Sequence, residues 1–120
     1  MRNQSSIILT GTADVSITGS ALDTNQAINA TFATIVTGGA TTAGTVKVQG
    51  SNQAAPQGQR GNYVPTEWSD IPSATATVTA GVAPLIVLSN VACQYMRVVF
   101  TRTAGVVSEV VTVRCNTVGQ

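Results

Sequence analysis

The sequence predicts an all-β domain, an antiparallel sandwich or barrel of about nine short strands with little or no helix. Three observations carry that expectation. Thr and Val dominate the composition while Leu and Lys are scarce, and β-branched side chains fit a pleated surface better than a helix. Apolar and polar residues alternate with a period of two in segment after segment. Gly and Asn, which supply the positive φ of tight turns, punctuate those segments at about 8–12-residue intervals.

Taken in order, the first expected strand is Ser5 to Thr10 and the second Asp14 to Thr18, an edge candidate between Gly11 and Gly19. Ser20 to Gln26 is the one helical candidate, a single turn at most. Ile28 to Thr37 places Ile28, Ala30 and Phe32 on one side, and Thr45 to Gly50 turns Val46 and Val48 inward. The small, glycine-rich stretch Thr37 to Gly44 between them reads as a hairpin loop. Thr66 to Ile71 is a short strand stopped by Pro72, and Ala74 to Thr79 alternates again. Pro84 to Leu88 is continuously apolar, the mark of a central strand or one covered on both faces. Tyr95 to Thr103 sets Met96, Val98 and Phe100 on one face, and Val106 to Arg114 closes the series. The expected core is Phe32, Ile35, Val46, Val48, Trp68, Ile71, Val78, Leu85, Val87, Val98, Phe100, Val111 and Val113. Burial of each such side chain is worth about 1.5–3 kcal/mol.

The 120 residues form one domain over 1–120. Two segments fall outside the strand rhythm: residues 1–6, a candidate extended arm, and residues 51–65, a surface loop long enough to be functional. Charged residues make up 9% of the chain and the formal net charge is +1, against about 25% charged in an ordinary domain. Such a surface has no field to steer nucleic acid or an anionic membrane, and it tolerates close packing against other protein. No apolar run approaches the about 18 residues that span a bilayer, and the N-terminal residues lack the apolar core of an export signal.

What is missing bounds the chemistry. There is no histidine, hence no common general base, metal ligand or triad member. Cys93 and Cys115, 22 positions apart, form no zinc pattern and read as buried free thiols, with a bridge between them the alternative. Of the five carboxylates, Glu67 and Asp70 are three apart and would point to opposite faces of a strand, which removes the facing pair a glycosidase needs. Asp14 and Asp23 lack the Asp-rich loop of a calcium site. Gly38-Gly39 precedes no helix and so cradles no phosphate. The expectation is a protein without catalytic residues, metal, cofactor or small-molecule substrate.

Three segments carry a resemblance: Thr45-Val46-Lys47-Val48-Gln49-Gly50-Ser51-Asn52, Thr66-Glu67-Trp68-Ser69-Asp70-Ile71-Pro72, and Tyr95 to Gly105. In this order they resemble the small β-sandwich, discoidin-like or jelly-roll-like structural proteins of tailed bacteriophages. The insertion Gln53 to Val64 departs from that pattern, and the sugar-binding loops of discoidin-like lectins find no match. The resemblance implies a virion protein assembled in a host cytoplasm, of the capsid decoration or cement type. It would be a homo-oligomer contacting the major capsid protein or other virion proteins. A neck, tail or head-fibre component and, in another class, a carbohydrate-binding module are the alternatives. The candidate contacts are Met1, Arg2, Asn3 and Gln4 in the arm, and Gln57, Gln59, Arg60, Asn62 and Tyr63 in the loop.

Overall fold

The computed structural model describes residues 2–24, 27–59 and 63–119, with residues 2–4 and 27–28 as backbone. Nine strands follow one another among the described residues, with no helix: β1 (Arg2–Thr12), β2 (Ile17–Thr18), β3 (Leu22–Asp23), β4 (Ala27–Thr37), β5 (Ala43–Ser51), β6 (Ser69–Val78), β7 (Ile86–Leu88), β8 (Tyr95–Ala104) and β9 (Val110–Gly119). All pairings are antiparallel. One sheet runs β1-β9-β4-β7; the other runs β2-β8-β5-β6, with β3 also on β8. First pairs with last, the broken strand β2/β3 with β8, β4 with β7, and β5 with β6. This is a strand ribbon folded back on itself and rolled into two sheets, the jelly-roll arrangement.

The core is the space between the sheets, filled by alternate residues of each long strand. Phe32 and Ala30 from β4, Val111, Val113 and Cys115 from β9, Val46 and Val48 from β5, and Met96, Val98 and Phe100 from β8 are all buried. β1 adds Ile8 and Leu9 together, because a bulge between Ile7 and Leu9 turns two successive residues inward.

Several expectations are corrected here. Ile35, Leu85 and Val87 are exposed rather than core. Ile35 is three positions from Phe32, so the period of two sends it to the opposite face. β7 is a three-residue edge strand, not a central one, and buries only Ile86 fully. The expected strands 66–71 and 74–79 are one strand, β6. Pro72 does not end it but sits in a large bulge, where two steps along β5 (Lys47 to Gln49) match five along β6 (Asp70 to Thr75). Ser73 there adopts a φ of 61°. The helical candidate at 20–26 contains β3 instead, with Leu22 opposite Met96; Asn25 and Gln26 lie outside the described residues. The candidate arm is the start of β1, with the Arg2, Asn3 and Gln4 backbone opposite Gly119, Val118 and Thr117 of β9.

The Thr37–Gly44 stretch is no hairpin: it carries the chain from one sheet to the other, since β4 and β5 belong to different sheets. A buried carboxylate holds it. Thr41 and Thr42 donate backbone and hydroxyl hydrogen bonds to Glu109, including Thr42 N to Oε1 at 3.0 Å and Thr42 Oγ1 to Oε1 at 2.7 Å. These donors, Thr41 first, hold the Glu109 carboxyl below its ordinary range. The glycines of this loop have a reason. A Cβ on Gly38, whose φ is 91°, would stand 2.3 Å from the Ser108 carbonyl oxygen, and one on Gly39 would stand 2.9 Å from Glu109 Oε2.

Candidate functional site

Outward-facing residues make the two sheets chemically different. On the β2-β8-β5-β6 sheet a polar chain crosses three strands. Arg97 Nε donates to Gln49 Oε1 at 2.8 Å, Gln49 Nε2 donates to Asp70 Oδ1 at 2.9 Å, and Lys47 Nζ lies 3.3 Å from Asp70 Oδ2. The Gln49 and Lys47 donors keep the Asp70 carboxyl below its usual range. Arg97 also covers the Trp68 ring, its guanidinium carbon 4.5 Å from the centroid.

The outer face of the β1-β9-β4-β7 sheet is almost free of charge. Register aligns Thr10, Thr112 and Ile35 across it, then Ile7, Arg114 and Ala33, then Ser5, Asn116, Thr31 and Val87. Ile7, Ile35 and Val87, with Leu85 just ahead of β7, are 51–60% exposed. Arg114 is the single charged side chain on this face among the described residues.

Beside Trp68 lies a groove of about 710 Å³, formed where β5 runs out and β6 begins and lined by Asn52, Gln53, Glu67, Trp68, Ser69 and Asp70 among others. Glu67 precedes β6 and therefore escapes strand alternation. The expectation that it and Asp70 face opposite ways is corrected, since both line this groove. The loop around the groove is latched by Gln53, whose Oε1 accepts from Thr66 N at 2.7 Å and Glu67 N at 3.2 Å. Trp68 is half-buried and outside the core, with Nε1 donating to the Pro65 carbonyl at 3.0 Å. Deeper in, Ile71 and Cys93 separate the groove from an apolar slot of about 200 Å³ that Leu88, Val91 and Met96 also line.

The fold resembles that of a prophage-derived protein. The crystal structure of the SPBc2 prophage-derived protein YomS superposes with a TM-score of 0.61, covering 97% of this chain and 92% of that one at 10% sequence identity. At that identity the likeness is one of fold. No protein-family model and no curated protein matches the chain.

Of the candidate contact residues, Gln57, Gln59 and Tyr63 have described side chains. Gln57 and Gln59 are exposed at a turn closed by Gln59 N to Pro56 O at 3.0 Å. Tyr63 is half-buried, its ring 6.0 Å from that of buried Tyr95. It anchors the loop to the domain rather than projecting from it. Met1, Arg60 and Asn62 lie outside the described residues. The nearly uncharged sheet face is not visible in the sequence, although the clustering of charge in β5, β6 and β8 is a signal once the topology is known. Both cysteines are free. Cys115 is buried, and desolvation pushes its thiol up to about 11; Cys93 is half-buried and raised for the same reason. Among the described residues, no three His, Cys, Asp or Glu side chains gather into a metal site.

Proposed function

We propose that this protein is a bacteriophage virion component of the capsid decoration type, which docks on the major capsid lattice through the outer face of its β1-β9-β4-β7 sheet. The observation that carries the reading is that face: among the described side chains it bears four exposed aliphatics and a single arginine, on a domain whose other sheet bears Lys47, Asp70 and Arg97. The face mixes these aliphatics with Thr, Ser and Asn, and such depletion of charge suits the core of a protein contact. Three long strands about 4.8 Å apart, each of ten or so residues at about 3.4 Å, present about 500 Å². Two such faces in contact bury about 1,000 Å², the lower limit of a specific interface.

A single contact of that size is weak. Repetition makes it adequate: a symmetric oligomer bound to a repeating lattice gains from every added site. The jelly roll is a fold used by viral capsid proteins, and the prophage origin of YomS supports the same setting by analogy of fold.

The test is copy number, measured by quantitative mass spectrometry of purified particles made by the genome that encodes this chain. Hundreds of copies per particle are expected. A count of a few dozen or fewer places the protein in a neck, tail or head fibre, and its absence from particles refutes the virion reading.

A further inference from the structure

We propose that the groove beside Trp68 is a binding site for a neutral saccharide. Its volume, about 710 Å³, falls within the about 300–1,000 Å³ of small-ligand sites. An amphipathic ring needs a fixed apolar plane and a few polar groups around it, and both are here. The indole is held in place before any ligand arrives, its Nε1 tied to the Pro65 carbonyl and one face covered by the Arg97 guanidinium. Arg97 is itself held by Gln49, and the half-buried Trp68 is among the residues that line the groove. Such preorganisation lowers the entropy lost on binding.

The polar lining selects the ligand. Asp70 accepts one hydrogen bond at each carboxylate oxygen, from Gln49 and from Lys47. A carboxylate has about four lone-pair sites, so acceptor capacity remains for hydroxyl donors. Glu67, Asn52 and Ser69, all exposed, also line the groove. The Glu67 and Asp70 carboxylates are matched by Lys47 on Asp70 and Arg97 on Trp68, so the site carries no net charge and favours a neutral ligand. The polar lining disfavours a wholly apolar ligand. A pyranose with a C–H face for the indole and hydroxyls for the carboxylates satisfies both walls.

Trp68 is the single tryptophan of the chain, so its emission reports directly on the site. Titration with a panel of neutral oligosaccharides built on glucose, galactose and N-acetylhexosamines is expected to give a saturable emission change with at least one member. By calorimetry with that member, Trp68→Ala is expected to weaken binding at least tenfold and Trp68→Phe less. The proposal is overturned if no panel member binds saturably, if only acidic glycans bind, or if Trp68→Ala binds as the parent does. Circular dichroism confirms that each variant is folded. The site uses none of the proposed docking face, so a negative titration leaves the particle copy number standing, and absence from particles leaves the titration standing.

Discussion

Phe100→Ala and Trp68→Ala, compared side by side, test where the core ends. Phe100 is fully buried in the middle of β8, opposite Val46 of β5 on one side and Ile17 of β2 on the other. Its ring also closes over β5, where a Cβ on Gly44 would meet Cε1 at 3.1 Å. Truncation leaves a cavity walled by two strands that cannot collapse without breaking register, so the cost is about 3–5 kcal/mol. That is a large fraction of the about 5–15 kcal/mol that holds a domain folded.

Trp68 has a larger side chain but a different setting. Its loss removes a guanidinium–indole stack, worth about 0.5–1 kcal/mol at an exposed site, and one hydrogen bond, about 0.5–1.5 kcal/mol. Lost burial of the half-buried ring adds about 1 kcal/mol, for a sum of about 2–3.5 kcal/mol. Urea unfolding followed by far-ultraviolet circular dichroism reads both variants, with the slope of the transition confirming that the same surface is exposed on unfolding. If Trp68→Ala costs as much as Phe100→Ala, the indole is a core element and the placement of the groove is wrong.

Three further outcomes are expected. Glu109 has its carboxyl lowered from the ordinary value of 4.5. Its charged form therefore adds stability that is complete above that value and lost as pH falls through the lower folded value. Glu109→Gln should accordingly lower the melting temperature at pH 7 and flatten its fall below about pH 4.5; parallel profiles for the two proteins would contradict this. Gly38→Ala and Gly58→Ala both place a side chain at positive φ, but the added carbon meets a carbonyl oxygen at 2.3 Å in the first and open space in the second. The first should be clearly the more destabilising, by at least about 1 kcal/mol, and equal melting temperatures would remove the close approach from the argument. Cys115 should resist a thiol reagent at pH 8 until the protein unfolds, whereupon two thiols should titrate; two fast-reacting thiols in the native protein would contradict its burial.

Much of the fold was legible because alternation is local. Tyr95 to Thr103 and Thr45 to Gly50 show which residues face inward with no knowledge of their neighbours, and Val98, Phe100, Val46 and Val48 are buried as that pattern requires. Apolar character without parity misled. Composition alone places Ile35, Leu85 and Val87 in the core, whereas each is exposed on the outer face or at an edge that sequence cannot locate. Pro72 reads as a terminator because it breaks a hydrogen-bonded ladder, yet an edge strand with a bulge accommodates it. The remaining misses depend on distant partners. Nothing near Gly38-Gly39 announces that a glutamate about seventy positions away fills their concavity. Nor does Glu67-Trp68 announce that Arg97, two strands from β6 on β8, will cap the indole. The groove arises from such pairings, so its residue types were visible and its existence was not.

On the proposed docking, the nearly uncharged sheet face is the part of this molecule that meets the capsid. Co-sedimentation with particles stripped of the protein tests it, comparing Ile35→Asp on that face with Thr77→Asp on the opposite sheet, both exposed and both expected to fold. The account predicts that Ile35→Asp abolishes association and that Thr77→Asp leaves it intact; retention of Ile35→Asp with loss of Thr77→Asp would contradict it.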